Sequence, residues 1–256
     1  MKKIKESEVP DQPESKTCDK HGEYEVKYGQ PLWGNVYVFD SCAQFNEDAN
    51  AKRRAEEQKN EDFKKRERKI SRLKAAGVSV RLMDKGFDDF EATTKAQERA
   101  KKLSISLRDD VRDNKKTGSI IMNGGVGTGK TALCTAILCS LVDTHKVKII
   151  KAIDLVRHLK SSWGKKSEYS EIDLIKMYSN LDLLIIDEIG VQFGSDTEKM
   201  FIFDIIDGRY SEMLPTVLIS NLGIDSIKDL LGERVIDRLR EDGGQLISFD
   251  WESHRK

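Results

Sequence analysis

The segment Gly124-Gly125-Val126-Gly127-Thr128-Gly129-Lys130-Thr131 constrains this chain more than any other. It follows the pattern G-x-x-x-x-G-K-[ST], in which glycines let the backbone curl so that successive N–H groups point inward at phosphate oxygens. Read this way, Gly125, Val126, Gly127, Thr128 and Gly129 line the cradle, Lys130 reaches the β- and γ-phosphates, and the Thr131 hydroxyl ligates Mg²⁺. The flanks suit the motif. Ser119-Ile120-Ile121-Met122 reads as a short buried strand, and Thr131 to Thr144 as a helix with Leu133, Ala136, Ile137, Leu141 and Val142 on an apolar face. The helix would add the positive end of its dipole to the same anion. Strand, loop and helix in that order set the segment apart from an incidental glycine-rich turn.

A second pattern supports the first. Leu183-Leu184-Ile185-Ile186-Asp187-Glu188 is an apolar run closed by two carboxylates. Such a run reads as a central strand of a parallel sheet, buried on both faces, and ligands gather at the carboxyl ends of such strands. Asp187 is then a ligand to Mg²⁺, usually through water, and Glu188 orients or deprotonates the water that attacks the γ-phosphate. Alone, the run would be a buried strand ending in a solvated acidic turn. About one α/β unit after a phosphate loop, it reads as a catalytic pair.

Composition sets outer bounds. The 256 residues suffice for one α/β core and a smaller module. Acids and bases balance at 44 each, so no polybasic signature points to nucleic acid, although local patches remain open. With no signal-peptide core and no apolar run of membrane-spanning length, a soluble cytoplasmic protein is expected. The four cysteines do not suggest a disulfide framework; Cys134 and Cys139 fall in the helix after the loop, where reduced packing cysteines are ordinary.

Three regions follow. Residues 1–48 form an N-terminal module: polar and expected to be mobile up to 16, then β-rich, with Tyr24, Tyr28, Trp33, Tyr37, Phe39 and Phe45. Residues 49–77 are helix-favouring and almost wholly charged, a solvated helical linker ended by Gly77. Residues 78–256 alternate helices and strands. Helices are expected near 94–112, 154–162, 171–178, 197–210, 225–231 and 233–240, and further strands at 146–151, 216–220 and 245–249, which implies a mainly parallel sheet between helices.

Over most of residues 80–251 the chain resembles the AAA+ P-loop ATPases of bacterial helicase loaders, the DnaC family. The likeness rests on both nucleotide motifs, on Asp187-Glu188-Ile189-Gly190-Val191-Gln192, on Ile206-Asp207-Gly208-Arg209, on a strand ending in Asn221, and on Leu230-Leu231-Gly232-Glu233-Arg234-Val235-Ile236-Asp237-Arg238-Leu239-Arg240. The resemblance implies that Asn221 is the sensor-1 asparagine, that Arg238 is the sensor-2 arginine reading phosphate from a lid, with Arg234 and Arg240 as competitors, and that Arg209 is an arginine finger completing a neighbouring subunit's site. It further implies self-association, ATP turnover with Mg²⁺, a DnaB-type replicative helicase as partner, and delivery of that helicase to single-stranded DNA. Lys160, Lys165, Lys166 and Trp163 would contact the strand, and Phe87 or Phe90 would lie near adenine or in the core.

The N-terminal module resembles small zinc-binding heads on phage-type relatives. Cys18, His21 and Cys42 match three ligands, Phe45 stands at the fourth position, and Asp40 or Glu47 would complete the shell. Zinc and a decayed site folded around aromatics both stay open. So do two other functions: a transposition regulator on the same fold, and an ATP-bound adaptor without turnover. The intact set Lys130, Thr131, Asp187 and Glu188 argues against the adaptor.

Overall fold

A computed structural model of the chain describes residues 2–12, 14–29, 35–40, 42–164, 167–190 and 195–253. The chain divides into two compact units, Met1–Glu67 and Arg68–Lys256. In the first, β1 (Lys2–Lys5), β5 (Asn35–Phe39) and β4 (Lys27–Tyr28) form an antiparallel sheet, and β2 (Ser15–Cys18) pairs with β3 (Gly22–Glu25). The β-rich expectation therefore holds. Within the stretch expected to be loose, Lys2–Lys5 pair in register with Asn35–Val38, and the Lys3 ammonium lies 5.7 Å from the centre of the Tyr37 ring. The edge strand supplies backbone hydrogen bonds that a polar composition does not advertise.

The charged segment is one helix, α1 (Ala43–Ala75), longer at its start than the sequence suggests. Most of it is exposed, as its charge requires, but Leu73 and, just past its end, Ala76 are buried in the second unit. Its end is a hydrogen-bonded cap: Gly77 N–H donates to Lys74 O and Val78 N–H to Leu73 O. Gly77 sits at φ +87°, and a Cβ there would lie 2.1 Å from the Ile149 carbonyl oxygen, so both backbone and packing demand glycine.

The second unit is built on a five-stranded parallel sheet, order β10-β6-β9-β8-β7, from β6 (Ile120–Gly124), β7 (Val147–Lys151), β8 (Leu183–Ile189), β9 (Thr216–Ser220) and β10 (Gln245–Phe249). Helices cover both faces. Met122 and Ile185 join α2 (Lys95–Arg112) and α3 (Lys130–Leu141) in one core; Ile121, Leu184 and Ile186 join α4 (Ala152–Ser161), α5 (Glu171–Ser179), α6 (Asp196–Ser211), α7 (Ile224–Leu231) and α8 (Glu233–Arg240) in the other. The alternation of neighbouring residues to opposite faces explains the unbroken apolar runs Ile120–Met122, Leu183–Ile186 and Val217–Ile219 in the three central strands. Helix starts are fixed locally: Thr94 and Gln97 form a reciprocal cap on α2, and Ser170 and Asp173 one on α5. Among the described residues no helix is long and apolar enough to cross a membrane.

Candidate nucleotide site

The phosphate loop leaves the carboxyl end of β6 and enters α3. Gly124, Gly127 and Gly129 adopt φ of +131°, +81° and +99°, values that side chains rarely tolerate. Two of these glycines are also close-packed. A Cβ on Gly124 would lie 2.4 Å from the Phe249 carbonyl oxygen, and one on Gly129 would lie 2.5 Å from the Phe90 ring. Thr128 is buried and its hydroxyl donates to Gly125 O at 2.9 Å, while Val126 is exposed at the loop's tip. Lys130 Nζ donates to the carbonyls of Gly124 and Gly125 at 2.7 and 2.6 Å; burial pulls its pKa down, and the charge of Asp187 opposes that.

The two nucleotide motifs meet. Thr131 Oγ1 donates to Asp187 Oδ2 at 3.0 Å, which brings two hard oxygen donors together at the carboxyl ends of β6 and β8. Burial pushes the Asp187 pKa up, against the pull of the Glu188 N–H and the Thr131 hydroxyl. The next residue departs from regular strand geometry. Glu188 has φ +58°, and the pairing of β8 with β9 shifts register between Ile186 and Ile189. Such a bulge re-aims side chains that simple alternation would send to opposite faces. It leaves Asp187 buried and Glu188 exposed, with Glu188 Oε1 paired to Lys151 Nζ at 2.9 Å. A left-handed glutamate costs roughly 1–3 kcal/mol, a strain typical of functional sites. Asn221 is exposed directly after β9, the strand between β6 and β8. Ser220 anchors that end by donating to Ile189 O at 2.5 Å.

Phe87 and Phe90 pack on the core, Phe90 within it. Phe90 also lines a cavity of about 310 Å³ with Leu82, Gly86, Gly129 and Ala132, beside the phosphate loop.

Both arginine assignments change. Arg209 is fully buried. Its Nε donates to Thr216 Oγ1 at 2.9 Å, Nη1 to the carbonyls of Tyr178, Ser179 and Leu181, and Nη2 to Pro215 O at 2.6 Å. A guanidinium held by five core acceptors cannot extend to a neighbouring subunit. It is an internal strut joining the end of α5 to the start of β9, and burial lowers its pKa to about 9. Arg238 lies on α8, between β9 and β10, within the sheet domain and not on a separate lid. It is ion-paired with Asp207, and its guanidinium lies 4.6 Å from the Phe203 ring centre. It lines a cleft with Thr117, Gly118 and Thr216, which mark the amino ends of β6 and β9, opposite the phosphate loop. A sensor role within its own site does not fit that position. Arg234 and Arg240, the competitors, lie on the same helix α8 and are exposed.

Of the residues expected to touch a nucleic acid, Trp163 is exposed at 58 %, with its indole N–H donating to Glu171 at 2.6 Å. Lys160 is committed to Glu198 at 2.8 Å, and Lys165 and Lys166 lie outside the described residues. In the first unit, His21 Nδ1 lies 3.7 Å from both Cys18 Sγ and Cys42 Sγ, while its Nε2 faces Asp48 Oδ2 at 3.4 Å. Asp40 is bonded instead to Lys16 and Tyr24, and Glu47 is exposed on α1. Sequence reasoning passed over Lys151, Trp251 and Asp48. None belongs to a motif, and only the sheet order or a hairpin contact places them.

Parallel strands around a glycine cradle, with a buried aspartate on the threonine that follows the lysine, define an AAA+ P-loop ATPase. A scan of family profiles matches residues 47–256 to the family described as "IstB-like ATP binding protein". The chain belongs to this IstB/DnaC family of ATP-binding proteins. It is 37% identical over 186 residues to the replicative helicase loader DnaC of Buchnera aphidicola (strain Bp), covering 72% of this chain and 74% of that one. To the DnaC of Escherichia coli K12 it is 41% identical over 138 residues, 54% of this chain and 56% of that one. The crystal structure of a DnaC helicase loader superposes with a TM-score of 0.55 at 21% identity, over 66% of this chain and 99% of that one. A DnaI structure gives 0.56 at 20% identity, over 70% and 94%. The structural likenesses speak for the fold.

Proposed function

We propose that this chain is an ATP-dependent helicase loader, cytoplasmic in location, which binds a DnaB-type replicative helicase and delivers it to single-stranded DNA. The observation that carries the reading is the Thr131–Asp187 hydrogen bond, because it brings the phosphate loop and the acidic strand end together within a chain whose relatives are named loaders. Thr131 and Asp187 fit Mg²⁺ by their hard oxygen donors, and bound Mg²⁺ would neutralise phosphate charge there. Lys130 binds and orients the phosphates. Glu188, released from Lys151, holds the attacking water, and Asn221 orients it from the neighbouring strand end. Trp163, exposed on the loop after α4, offers a stacking face to an unpaired base.

Self-association with shared nucleotide sites belongs to the same reading. The arginine given to a neighbour must reach the surface away from its own phosphates; Arg238, partly exposed, meets both conditions, while Arg209, fully buried, fails the first.

The first unit is the partner-binding part, since residues 1–46 lie outside the family match. Zn²⁺ fits the cluster Cys18, His21 and Cys42, whose ligand atoms lie within 4.8 Å of one another. Asp48 completes the arrangement as the carboxylate behind the histidine, on the ring nitrogen that the thiols do not face. A transposition regulator shares the ATPase set, but the relatives matched over nearly three quarters of their length are named loaders. Co-precipitation of the purified replicative helicase with the full chain and ATP tests the proposal. A stable complex supports it; a chain that turns over ATP yet captures no helicase overturns the loader assignment.

A further inference from the structure

Trp251 lies two residues beyond the last paired position of β10, where Phe249 stands opposite Gly124. Its indole Nε1 donates to the carbonyl oxygen of Thr128 at 3.0 Å, across 123 residues of chain. That carbonyl belongs to the phosphate loop. The contact is held in place from below, since the Trp251 ring lies 4.6 Å from that of Phe249, itself 5.8 Å from the Lys130 ammonium. The Phe249 backbone in turn closes on Gly124, where a Cβ would find no room.

The carbonyl of Thr128 and the N–H of Gly129 are the two ends of one planar peptide unit. The chain has no cis peptide bond among the described residues, so the two groups point in opposite directions. With the Thr128 oxygen fixed on the indole, the Gly129 N–H points away from Trp251 and is free to meet a phosphate held in the cradle. Gly129 at φ +99° has no side chain to hold that peptide in place, and glycine leaves the unit free to rotate. Loop contacts hold the Thr128 hydroxyl on Gly125, while the Thr128 carbonyl is held from outside the loop by Trp251.

We propose that Trp251 is a positioning residue of the nucleotide site, whose indole N–H pre-orients the Thr128–Gly129 peptide for phosphate binding. The inference rests on the reading of the loop as an ATP site, and wild-type ATP binding tests that reading separately. By linkage, phosphate bound at the Gly129 N–H strengthens the indole contact as the indole strengthens binding. The environment of Trp251 therefore changes with nucleotide occupancy.

The test compares the full-length wild type with Trp251→Phe and with 3-benzothienylalanine at position 251, which keeps the bicyclic shape and removes the N–H. ATP affinity is measured by calorimetry, turnover at saturating ATP, thermal stability without nucleotide, and indole emission during ATP titration. The expected result for the benzothienyl variant is about fivefold to tenfold weaker ATP binding, the order set by one hydrogen bond. Turnover at saturation should stay within about twofold, because Asp187 and Glu188 are untouched, and nucleotide-free melting should be unchanged. The ATP-dependent emission change of the wild type should vanish in Trp251→Phe. Unaltered ATP affinity in the benzothienyl variant overturns the proposal, as does an emission change that persists in full without Trp251. A loss of affinity accompanied by lower melting without nucleotide also overturns it, because the ring would then be serving the fold and not the loop.

Discussion

Thr131 Oγ1 donates to Asp187 Oδ2 at 3.0 Å, joining residues 56 apart in the chain. The bond ties the phosphate loop to the acidic strand end and places Glu188 one residue further, at the surface. Asp187→Asn keeps the hydrogen bond geometry but removes the charge that Mg²⁺ meets. ATP binding without Mg²⁺ should be retained, and the tightening by added Mg²⁺ lost. Glu188→Gln should bind ATP as the parent does and hydrolyse it about 10²–10⁴-fold more slowly. Parental turnover by Glu188→Gln would remove the carboxylate from its assigned role.

Arg209 should behave as part of the fold. Truncation to alanine leaves five acceptors without this donor, four of them buried, at a cost of about 1–3 kcal/mol for each buried group left unpaired. Thermal melting of Arg209→Ala should fall by many degrees or the protein should not accumulate folded. A variant that melts like the parent while losing turnover only in assemblies would restore the trans-acting role.

Arg238→Ala should fold, since the side chain is partly exposed and its ion pair with Asp207 is peripheral. Mixed with Lys130→Ala protein, it should recover part of the parental turnover, because one protein contributes an intact loop and the other an intact arginine. Co-assembled mixtures that stay inactive would exclude Arg238 from the shared site.

The limit of the ATPase unit is set by Leu73 and Ala76, not by the start of the glycine-capped segment. Removing residues 1–67 should leave ATP binding intact and abolish helicase capture. Removing residues 1–76 also strips Leu73 from the core and the Ala76 carbonyl that accepts from Ile149 N–H. The second truncation should be less stable by about 2–5 kcal/mol, measured by denaturant unfolding. Equal stability of the two would place the domain edge after Gly77.

The zinc assignment carries a pH dependence. Backbone N–H groups of Lys20 and His21 bring the Cys18 thiol down from 9.0 to about 7. The thiolate is the ligand form, so protons compete with metal, and the apparent zinc affinity should be steady above about pH 7 and weaken progressively as pH falls below it. Full-length protein at pH 8 should carry about one zinc per chain. Asp48→Asn should weaken zinc binding about 10–100-fold. Metal-free protein prepared without chelators would leave the head an aromatic-cored module.

Motif and period were enough to find the phosphate loop, the acidic strand and almost every element of the ATPase unit. Each of those signals is local: a cradle needs glycines at set spacings, and a strand buried on both faces carries an unbroken apolar run, as Leu183–Ile186 does. The two arginines show where locality ends. Arg209 and Arg238 sit on neighbouring helices with similar sequence surroundings, and sequence alone cannot tell a cation buried among carbonyls from one turned to the surface. That depends on which loop ends converge on the side chain, here those of α5 and β9 around Arg209. Trp251 makes the same point from the other direction. It belongs to no motif, yet the pairing of β10 with β6 carries its indole onto a loop 123 residues away. Spacing along the chain determined which residues can bind phosphate. The order of strands in the sheet decided which others hold them in place, because those contacts join segments whose separation in sequence carries no periodic signal.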